Sequence, residues 1–292
     1  MRVLLKFDPW KNPYCPCPPK YSLNPYTGCG HACRYCYITS YIPNPFNPRL
    51  KDNIVKRLRI DLKTLPKGSI IAISYSSDPY TPPEGKIRIM PKILSLISLF
   101  DVKVLIATKG VLVLRDIDLI KKVGNVVSMT ITTLDKSLAK KLEPNAPTPN
   151  ARVRVLEKLV NNGVNVSLRI DPIFPGLTDD EKMIREIIEM ASSLGIEHIV
   201  SSCYKVKPDN YRRMIGVFPE MEKLWHKLYW IDGEYIHGYR YLPFKLRYEI
   251  LSIVRNLALK FKMKFNTCRD GLRFLDSPGA YCDASHLLEK RD

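Results

Sequence analysis

The chain has 292 residues, and its 46 lysines and arginines against 29 acidic residues give a formal net charge of +17. This length allows a large buried core, and a content of 45% hydrophobic and 26% charged residues excludes general disorder. No apolar run reaches the ~20 residues of a membrane helix, and the first residues lack the features of a signal peptide. The positive charge predicts an acidic partner, with nucleic acid as the first candidate and an anionic membrane surface as the second.

Two segments rich in proline interrupt the first part of the chain. Residues 1–20 contain five prolines, which predict an extended arm rather than a helix. Residues 41–49 form a second Pro-rich segment, which we interpret as a loop.

From residue 21 to residue 204, short apolar runs alternate with helical stretches. The runs predicted as strands are residues 21–24, 70–75, 102–108, 126–132, 164–170 and 198–204. The helical spacing is clearest in residues 150–162 and 179–194, and the second of these has Asp179 and Asp180 at its start and Gly195 just past its end. Six such alternations predict an α/β fold with a parallel sheet covered on both faces. A complete or partial β/α barrel and an open doubly wound sheet satisfy this pattern equally.

After residue 204 the composition changes, and aromatic and basic residues become dense up to residue 247. An apolar helical stretch at 246–261 and a strand-like run at 262–268 follow. We interpret residues 205–292 as an α/β extension packed on the barrel. Aromatic and basic side chains together could stack on unpaired bases and contact phosphates, whereas aromatics at helical spacing could equally form a core. The candidates are Lys205, Lys207, Arg212, Arg213, Trp225, Trp230 and Arg240.

The strongest motif is C-x3-C-x2-C, formed by Cys29, Cys33 and Cys36 directly after the first predicted strand. Thiolates so close in sequence can face one point and suit zinc or an iron–sulfur cluster. A structural zinc usually has four ligands, so three cysteines favour a cluster with one iron open to a substrate or cofactor. A zinc site with His31 as fourth ligand is the alternative.

This motif, with Tyr35 inside it and the six-fold strand–helix alternation behind it, resembles the radical S-adenosylmethionine (SAM) superfamily. Residues 24–29 (NPYTGC), 77–80 (SDPY), 142–147 (LEPNAP) and 172–176 (PIFPG) resemble its spore photoproduct lyase-like, or "DNA repair photolyase"-like, branch. The resemblance covers about residues 20–200. It implies a partial (β/α)6 TIM-like barrel over residues 21–204, preceded by the Pro-rich arm and followed by the extension.

The resemblance also implies a chemistry for the three cysteines. They would hold a [4Fe–4S] cluster that binds SAM and, after reduction by a flavodoxin- or ferredoxin-type donor, generates a 5′-deoxyadenosyl radical. That radical would abstract hydrogen from a substrate. We expect a cytoplasmic protein, since eight cysteines are too few for a disulfide scaffold in a chain of this length. We also expect a monomer that is not bound to a membrane.

Polar side chains at the carboxyl ends of the strands are expected to hold SAM, because ligands bind there in parallel β/α folds. The candidates are Tyr35, Ser76, Ser77, Asp78, Lys109, Ser128, Thr130, Glu143, Arg152 and Arg169. The resemblance assigns residues 76–78 to the methionine amino group and Glu143 and Arg152 to a cofactor-binding segment. Arg169 could bind the methionine carboxylate through its planar fork. The structural alternatives are a turn after Asp78, ordinary strand hydroxyls, a surface helix-cap pair of Glu143 and Arg152, and an ion pair of Arg169 with Asp171.

The other five cysteines fall into two groups. Cys15, Cys17, Cys268 and Cys282 could hold a second iron–sulfur cluster or a zinc that joins the arm to the tail. The alternatives are separate buried thiols or, in a hyperthermophile, a disulfide. Cys203 could be a core thiol or a hydrogen donor to substrate. Photoproduct lyases carry their donor cysteine near the second strand, whereas residues 74–78 here contain no cysteine.

The sequence leaves three functions open. The first is a radical SAM enzyme that repairs nucleic acid, as a lyase, or modifies it. The second is a radical SAM enzyme that acts on a peptide or small molecule with the help of an auxiliary metal cluster. The third is a non-enzymatic cysteine–metal protein that binds nucleic acid.

Overall fold

The computed structural model describes residues 2–7, 12–74 and 76–288. The strands within these residues are β1 (Leu4–Lys6), β2 (Tyr21–Leu23), β3 (Tyr26–Thr27), β4 (Arg49–Leu50), β5 (Ser69–Ile73), β6 (Val102–Thr108), β7 (Asn125–Thr130), β8 (Asn165–Ile173), β9 (His198–Cys203), β10 (Glu234–Ile236), β11 (Tyr239–Tyr241) and β12 (Lys264–Thr267). The α-helices are α1 (Ile54–Leu62), α2 (Glu84–Ile87), α3 (Ile89–Ile97), α4 (Ile117–Lys122), α5 (Lys136–Leu142), α6 (Pro149–Asn161), α7 (Glu181–Ser193), α8 (Pro208–Ile215), α9 (Glu222–His226) and α10 (Phe244–Lys260). None of the helices in the described part of the chain is long and apolar enough to cross a membrane.

Within those residues, eight strands form one sheet in the order β1-β2-β5-β6-β7-β8-β9-β12. All neighbours pair in parallel except β1, which runs antiparallel to β2. The six predicted strands are β2 and β5 to β9, which confirms the α/β fold and the mainly parallel sheet. Residue 75, the predicted end of the second run, lies outside the described residues.

The predicted helices at 150–162 and 179–194 correspond to α6 and α7. The start of α7 is capped by Asp180, whose carboxylate accepts a hydrogen bond of 3.1 Å from the backbone N–H of Met183. Gly195, just past the end of the helix, has a φ of +77°. These are the local signals that end a helix, so they were readable from sequence.

The two faces of the sheet have different partners. The main core is shared with the helices and includes Ile71, Ile73, Val104, Ile106, Val127, Met129, Leu168 and Ile170. On the opposite face, Ala72, Leu105 and Val126 pack against Ala284, Leu287 and Leu288 of the C-terminal tail. Because side chains alternate along a strand, Ser128, Thr130, Ser167 and Arg169 belong to this second, interior face. The tail therefore covers the part of the interior face that lies toward the amino ends of the strands. Polar side chains occupy the part that lies toward their carboxyl ends.

The N-terminal arm is more ordered than its prolines predict. Its residues 4–6 form β1, and the Asp61 carboxylate accepts hydrogen bonds from the backbone N–H groups of Val3 and Leu4 at 2.7 and 2.9 Å. The sequence analysis predicted an extended arm and no helix but did not identify this strand, because sheet pairing is decided by distant residues. Residues 8–11, including Pro9, lie outside the described residues.

The C-terminal extension contributes to the same sheet. Its strand β12 pairs in parallel with β9, and its long helix α10 packs near β12 and α7. The predicted apolar helix and strand-like run correspond to α10 and β12. Residues 289–292 lie outside the described residues.

Candidate active site

The three clustered cysteines lie on a loop that follows β2 and β3. Gly28 opens the loop with a φ of +83°, and a Cβ at this position would lie 2.7 Å from the carbonyl oxygen of Pro45. Glycine is therefore required here by both conformation and space. The next residue, Cys29, donates its backbone N–H to the same Pro45 oxygen at 2.7 Å. The Pro-rich segment 41–49 thus fixes the start of the cysteine loop.

The phrase LEPNAP at 142–147 holds the middle of the loop. The backbone N–H of Arg34 donates to the oxygen of Leu142 at 2.8 Å, and the N–H of Asn145 donates to the oxygen of His31 at 3.2 Å. These bonds bring together segments that are more than a hundred residues apart in the chain. The segment at 142–147 therefore supports the backbone of the cysteine loop.

The end of the loop is held by Arg213 of α8. Its guanidinium donates to the carbonyl oxygens of Arg34 and Cys36 at 3.0 and 2.9 Å, and to the hydroxyl of Thr39 at 2.7 Å. Asp209 accepts a further bond from Arg213 at 3.2 Å. Arg213 was predicted to contact substrate, but the structure places it against the cysteine loop.

We expect Arg213→Gln to weaken retention of an iron–sulfur cluster on this loop. The variant loses charge-assisted hydrogen bonds worth about 2 kcal/mol each to carbonyl groups that fix the loop. Iron content after anaerobic reconstitution and gel filtration should fall at least about twofold. Arg212→Gln is the matched control, because the Arg212 side chain donates to Pro208 of its own helix at 3.3 Å. Equal iron content in the two variants would show that Arg213 does not support the loop.

A buried ionic network lies beside the cysteines. The Glu143 carboxylate accepts hydrogen bonds from the Tyr35 hydroxyl and the Arg152 guanidinium, and the Lys109 ammonium lies 4.0 Å from it. Arg152 also donates to the carbonyl oxygen of Thr130 at 3.0 Å. Glu143 and Arg152 are almost completely buried, so the alternative of a surface helix-cap pair is wrong. Five sequence-predicted residues therefore meet at the carboxyl ends of β6 and β7.

The electrostatics of this network place positive charge next to the thiols. Burial raises the pKa of the Cys33 thiol well above its usual value, and Lys109 opposes this shift. Burial also raises the pKa of Cys36 to about 11. Although burial lowers the pKa of Lys109, Cys33 and Glu143 outweigh it and keep the ammonium charged. A cation in this position favours the thiolate form that binds metal.

Asp78 organises the loops around the ends of β5 and β6. Its carboxylate accepts hydrogen bonds from the backbone N–H groups of Tyr80 and Lys109 and from the Thr108 hydroxyl, at 2.9, 2.7 and 2.7 Å. The His31 imidazole lies 3.4 Å from it. Despite burial, this pairing lowers the pKa of Asp78 to about 2 and raises that of His31 to about 10. His31 is therefore an ion-pair partner of Asp78 in this structure.

Two serines near the site have free hydrogen-bonding capacity. The hydroxyls of Ser77 and Ser128 are buried and have no hydrogen-bond partner among the residues that the structure describes. Buried polar groups are nearly always bonded, so these hydroxyls fit a site whose ligand completes them. Beside them, the backbone N–H of Ser76 donates to the Asn24 side chain at 3.1 Å.

Arg169 links the interior face to the C-terminal tail. Its guanidinium lies 2.6 Å from the Asp171 carboxylate, the ion pair given above as the structural alternative. It also donates to the carbonyl oxygen of Cys282 at 3.2 Å.

Several candidates for substrate contact are parts of the core. Trp225 is 0% exposed and packs against Tyr204, so it does not offer a face to a base. The Lys205 ammonium donates hydrogen bonds to the carbonyl oxygens of Cys203 and Cys268 and to the carboxylate of Asp270. Cys203 itself is 1% exposed, as expected for a thiol in the core.

Three further candidates lie with three tyrosines near the β10–β11 hairpin, and we call these six residues the cation–aromatic patch: Lys207, Tyr211, Trp230, Tyr235, Tyr239 and Arg240. Tyr235 is exposed, and the other five are half-buried. The Arg240 guanidinium lies 5.0 Å from the Trp230 ring centre and 5.6 Å from that of Tyr235. The Lys207 ammonium lies 4.4 Å from the Tyr239 ring centre. Tyr211, Tyr235 and Tyr239 were not among the predicted residues. Tyr235 and Tyr239 lie on the two strands of a hairpin whose turn at 237–238 contains a glycine, which was a readable signal.

The cysteines at 15, 17, 268 and 282 also come together. The Sγ atoms of Cys17 and Cys282 are 3.4 Å apart. Cys15 lies near Cys17, and Cys268 lies near Cys282. Across residues 2–7, 12–74 and 76–288, no three His, Cys, Asp or Glu side chains are already grouped as ligands around one point. A metal at either cysteine group is therefore a proposal.

Comparison with known proteins decides the family. A family model of the Radical SAM superfamily matches residues 23–191, which is more than half of the chain. The chain belongs to the radical SAM superfamily. Members of this superfamily use a [4Fe–4S] cluster and SAM, and the matched segment contains the cysteine loop and the Glu143 network.

Relatives in three kinds of organism share this segment. The chain is 35% identical to an uncharacterized protein of Methanocaldococcus jannaschii over 178 residues, which are 57% of this chain and 65% of that protein. It is 30% identical to a protein of Acidianus two-tailed virus over 201 residues, 61% of this chain and 65% of the viral protein. It is 28% identical to a protein of Mycobacterium tuberculosis over 194 residues, 61% of this chain and 56% of the mycobacterial protein. The match thus spans less than two thirds of each relative.

Solved structures of spore photoproduct lyase share the fold. A variant with bound AdoMet and the dinucleoside spore photoproduct matches with a TM-score of 0.68 at 16% identity, over 89% of this chain and 79% of the lyase. A second variant gives the same TM-score at 15% identity, over 85% and 75% of the two chains. These matches confirm the architecture of a radical SAM partial barrel.

Proposed function

We propose that this protein is a radical SAM enzyme in which Cys29, Cys33 and Cys36 hold the [4Fe–4S] cluster. The observation that carries the proposal is the C-x3-C-x2-C loop after the first parallel strand, inside the segment that matches the superfamily. A cluster held there would supply the electron that cleaves a C–S bond of SAM, which would give methionine and a 5′-deoxyadenosyl radical able to take hydrogen from a substrate.

The residues of the chain have distinct tasks in this proposal. The carbonyl contacts of Arg213, Leu142 and Pro45 hold the loop in place, so that its three thiols are presented from one rigid turn. Lys109 offsets the negative charge of a cluster bound by thiolates. Ser77 and Ser128 offer hydroxyls to SAM from the carboxyl ends of β5 and β7. The apolar tail on the interior face excludes water from the floor of the site.

We further propose that the substrate is a nucleic acid. The net charge of +17 favours an anionic substrate, and the cation–aromatic patch has one exposed ring, that of Tyr235, on which an unpaired base can stack. One member of the patch, Tyr239, lies beside the cysteine loop, because its ring is 6.5 Å from that of Tyr37, the residue after Cys36. Arg240 follows Tyr239 on β11, so Arg240 and its neighbours Tyr235 and Trp230 lie on the other face of the hairpin. The structural likeness to a lyase solved with a dinucleoside photoproduct supports the same substrate class.

We expect Tyr235→Ala to weaken binding of single-stranded oligonucleotides about tenfold, because Tyr235 is 69% exposed and its loss removes one stacking surface. Fluorescence anisotropy measures the affinity at several salt concentrations. Binding by the unaltered protein should fall at least about tenfold between 50 and 200 mM salt, as phosphate contacts require. The control is Tyr248→Ala, a tyrosine of α10 with similar chemistry outside the patch. Equal affinities of the two variants would contradict the assignment of the patch.

The second candidate substrate class is a peptide or a small molecule. The meeting of four further cysteines favours it, since an auxiliary metal cluster would serve such a reaction. If the protein did not bind oligonucleotides in a salt-dependent manner, a peptide or small-molecule substrate would be favoured. The non-enzymatic alternative is tested separately: reduction of the reconstituted protein with SAM should release 5′-deoxyadenosine and methionine, and a non-enzymatic metal protein would release neither.

A further inference from the structure

A second group of four cysteines joins parts of the chain that are distant in sequence. Cys15 and Cys17 lie on the N-terminal arm, Cys268 follows β12 directly, and Cys282 lies in the C-terminal tail. Cys17 and Cys282 are separated by 265 residues, yet their sulfur atoms are 3.4 Å apart. Four thiols gathered from three segments need a physical reason, because two thiols in contact gain little from their weak hydrogen bond.

The separation of two of the sulfurs favours a single ion over a [4Fe–4S] cluster. The Sγ atoms of Cys17 and Cys282 are 3.4 Å apart, and Cys15 and Cys268 lie near this pair. Around a tetrahedral zinc ion with bonds of about 2.3 Å, neighbouring sulfurs lie about 3.8 Å apart, which is close to the Cys17–Cys282 separation. Thiolates of a [4Fe–4S] cluster each bind a different iron and stand farther apart. A bound zinc ion would draw all four sulfurs to one centre.

The charges around the sulfurs fit a metal bound by thiolates. Zinc with four thiolates carries two excess negative charges, which nearby cations would stabilise. Lys20 has a completely buried side chain, lies in hydrogen-bond contact with Cys17 and pairs with Asp283 at 2.6 Å. Arg169 lies near Cys268 and donates to the carbonyl oxygen of Cys282 at 3.2 Å.

We propose that Cys15, Cys17, Cys268 and Cys282 bind one structural zinc ion that fastens the N-terminal arm to the C-terminal tail. The tail residues just after Cys282 cover the interior face of the sheet. Zinc binding therefore stabilises the cover over the floor of the proposed active site, and its free energy adds to that of folding. This proposal does not depend on the chemistry at Cys29, Cys33 and Cys36.

Metal analysis of the full-length protein, purified without oxygen and then supplied with iron, sulfide and zinc, tests the proposal. We expect about one zinc per chain besides about four irons. Cys17→Ser and Cys268→Ser should each lower the zinc content about tenfold and leave most of the iron. Cys33→Ala should lose the iron and keep the zinc, which separates this site from the proposed catalytic one. Cys203→Ala, a buried thiol elsewhere, should keep both metals.

A measurement on the unaltered protein covers the case in which a variant fails to fold. Cobalt(II) that replaces the zinc should give the intense charge-transfer absorption of a tetrahedral thiolate site, and the same spectrum should appear in Cys33→Ala. About eight irons per chain without zinc would overturn the proposal in favour of a second [4Fe–4S] cluster. Loss of zinc in Cys33→Ala, or no metal beyond four irons, would overturn it as well.

Discussion

Replacing Cys33 by alanine is expected to remove the iron–sulfur cluster and all SAM cleavage. The residue is buried between Cys29 and Cys36 on the loop, and two thiolates cannot hold the three irons that protein ligands must bind. Iron should fall from about four per chain to less than about one after anaerobic reconstitution. Release of 5′-deoxyadenosine on reduction should fall at least about a hundredfold, because no electron reaches SAM without the cluster.

The matched control for this variant is Cys203→Ala. It removes one buried thiol from the end of β9, where the side chain is part of the apolar core. Iron content should stay near that of the unaltered protein, so a general effect of losing a thiol is excluded. If Cys33→Ala kept its iron and still cleaved SAM, the assignment of the three cysteines would be refuted.

Glu143→Gln is expected to lower the free energy of unfolding by about 3 kcal/mol, measured by urea denaturation. The carboxylate is buried between the Arg152 guanidinium and the Lys109 ammonium, and it accepts a hydrogen bond from the Tyr35 hydroxyl. The amide is neutral and leaves both buried cations without their counter-charge. Because breaking a buried ion pair costs far more than breaking an exposed one, the effect should exceed that of most substitutions.

The pH dependence of this difference has a definite sign. Burial raises the pKa of Glu143, but Arg152 and Lys109 outweigh it and lower the pKa below its ordinary value. A carboxylate with a lowered folded-state pKa contributes stability above its unfolded pKa of about 4.3 and loses it as the pH falls. The difference between Glu143→Gln and the unaltered protein should therefore be full at pH 7 and shrink in acid.

The control is Glu181→Gln, which breaks the exposed pair with Arg185 on α7. An exposed pair of this kind is worth less than about 1 kcal/mol, so this variant should unfold almost like the unaltered protein. Equal losses in the two variants would show that the Glu143 network does not hold the site together.

Features set by local sequence were predictable, and those set by distant contacts were not. The apolar runs of the parallel strands and the caps of α7 depend on neighbouring residues, and both were read correctly. β1 was missed because its three residues become a strand only by pairing with β2. The sequence analysis named Tyr35, Lys109 and Glu143 among the candidates, and the structure brings these three together. The motif could not show that Tyr35 would bond Glu143, 108 positions away.

The same limit applies to the aromatic and basic residues after position 204. Composition alone could not separate Trp225, which is in the core, from Trp230, which lies under the Arg240 guanidinium. It could not separate Arg213 from Arg212 either, because the difference depends on which face of α8 meets the cysteine loop. Burial is decided by the packing of whole elements, so it became visible only in the folded chain.

The most direct test of the central claim is electron paramagnetic resonance of the reduced, reconstituted protein with and without SAM. Reduction should produce the signal of one [4Fe–4S] cluster, and addition of SAM should change that signal, because SAM binds the iron that lacks a cysteine ligand. The signal should be missing in Cys33→Ala and present in Cys203→Ala. A signal that SAM does not alter, or one that persists in Cys33→Ala, would contradict the account.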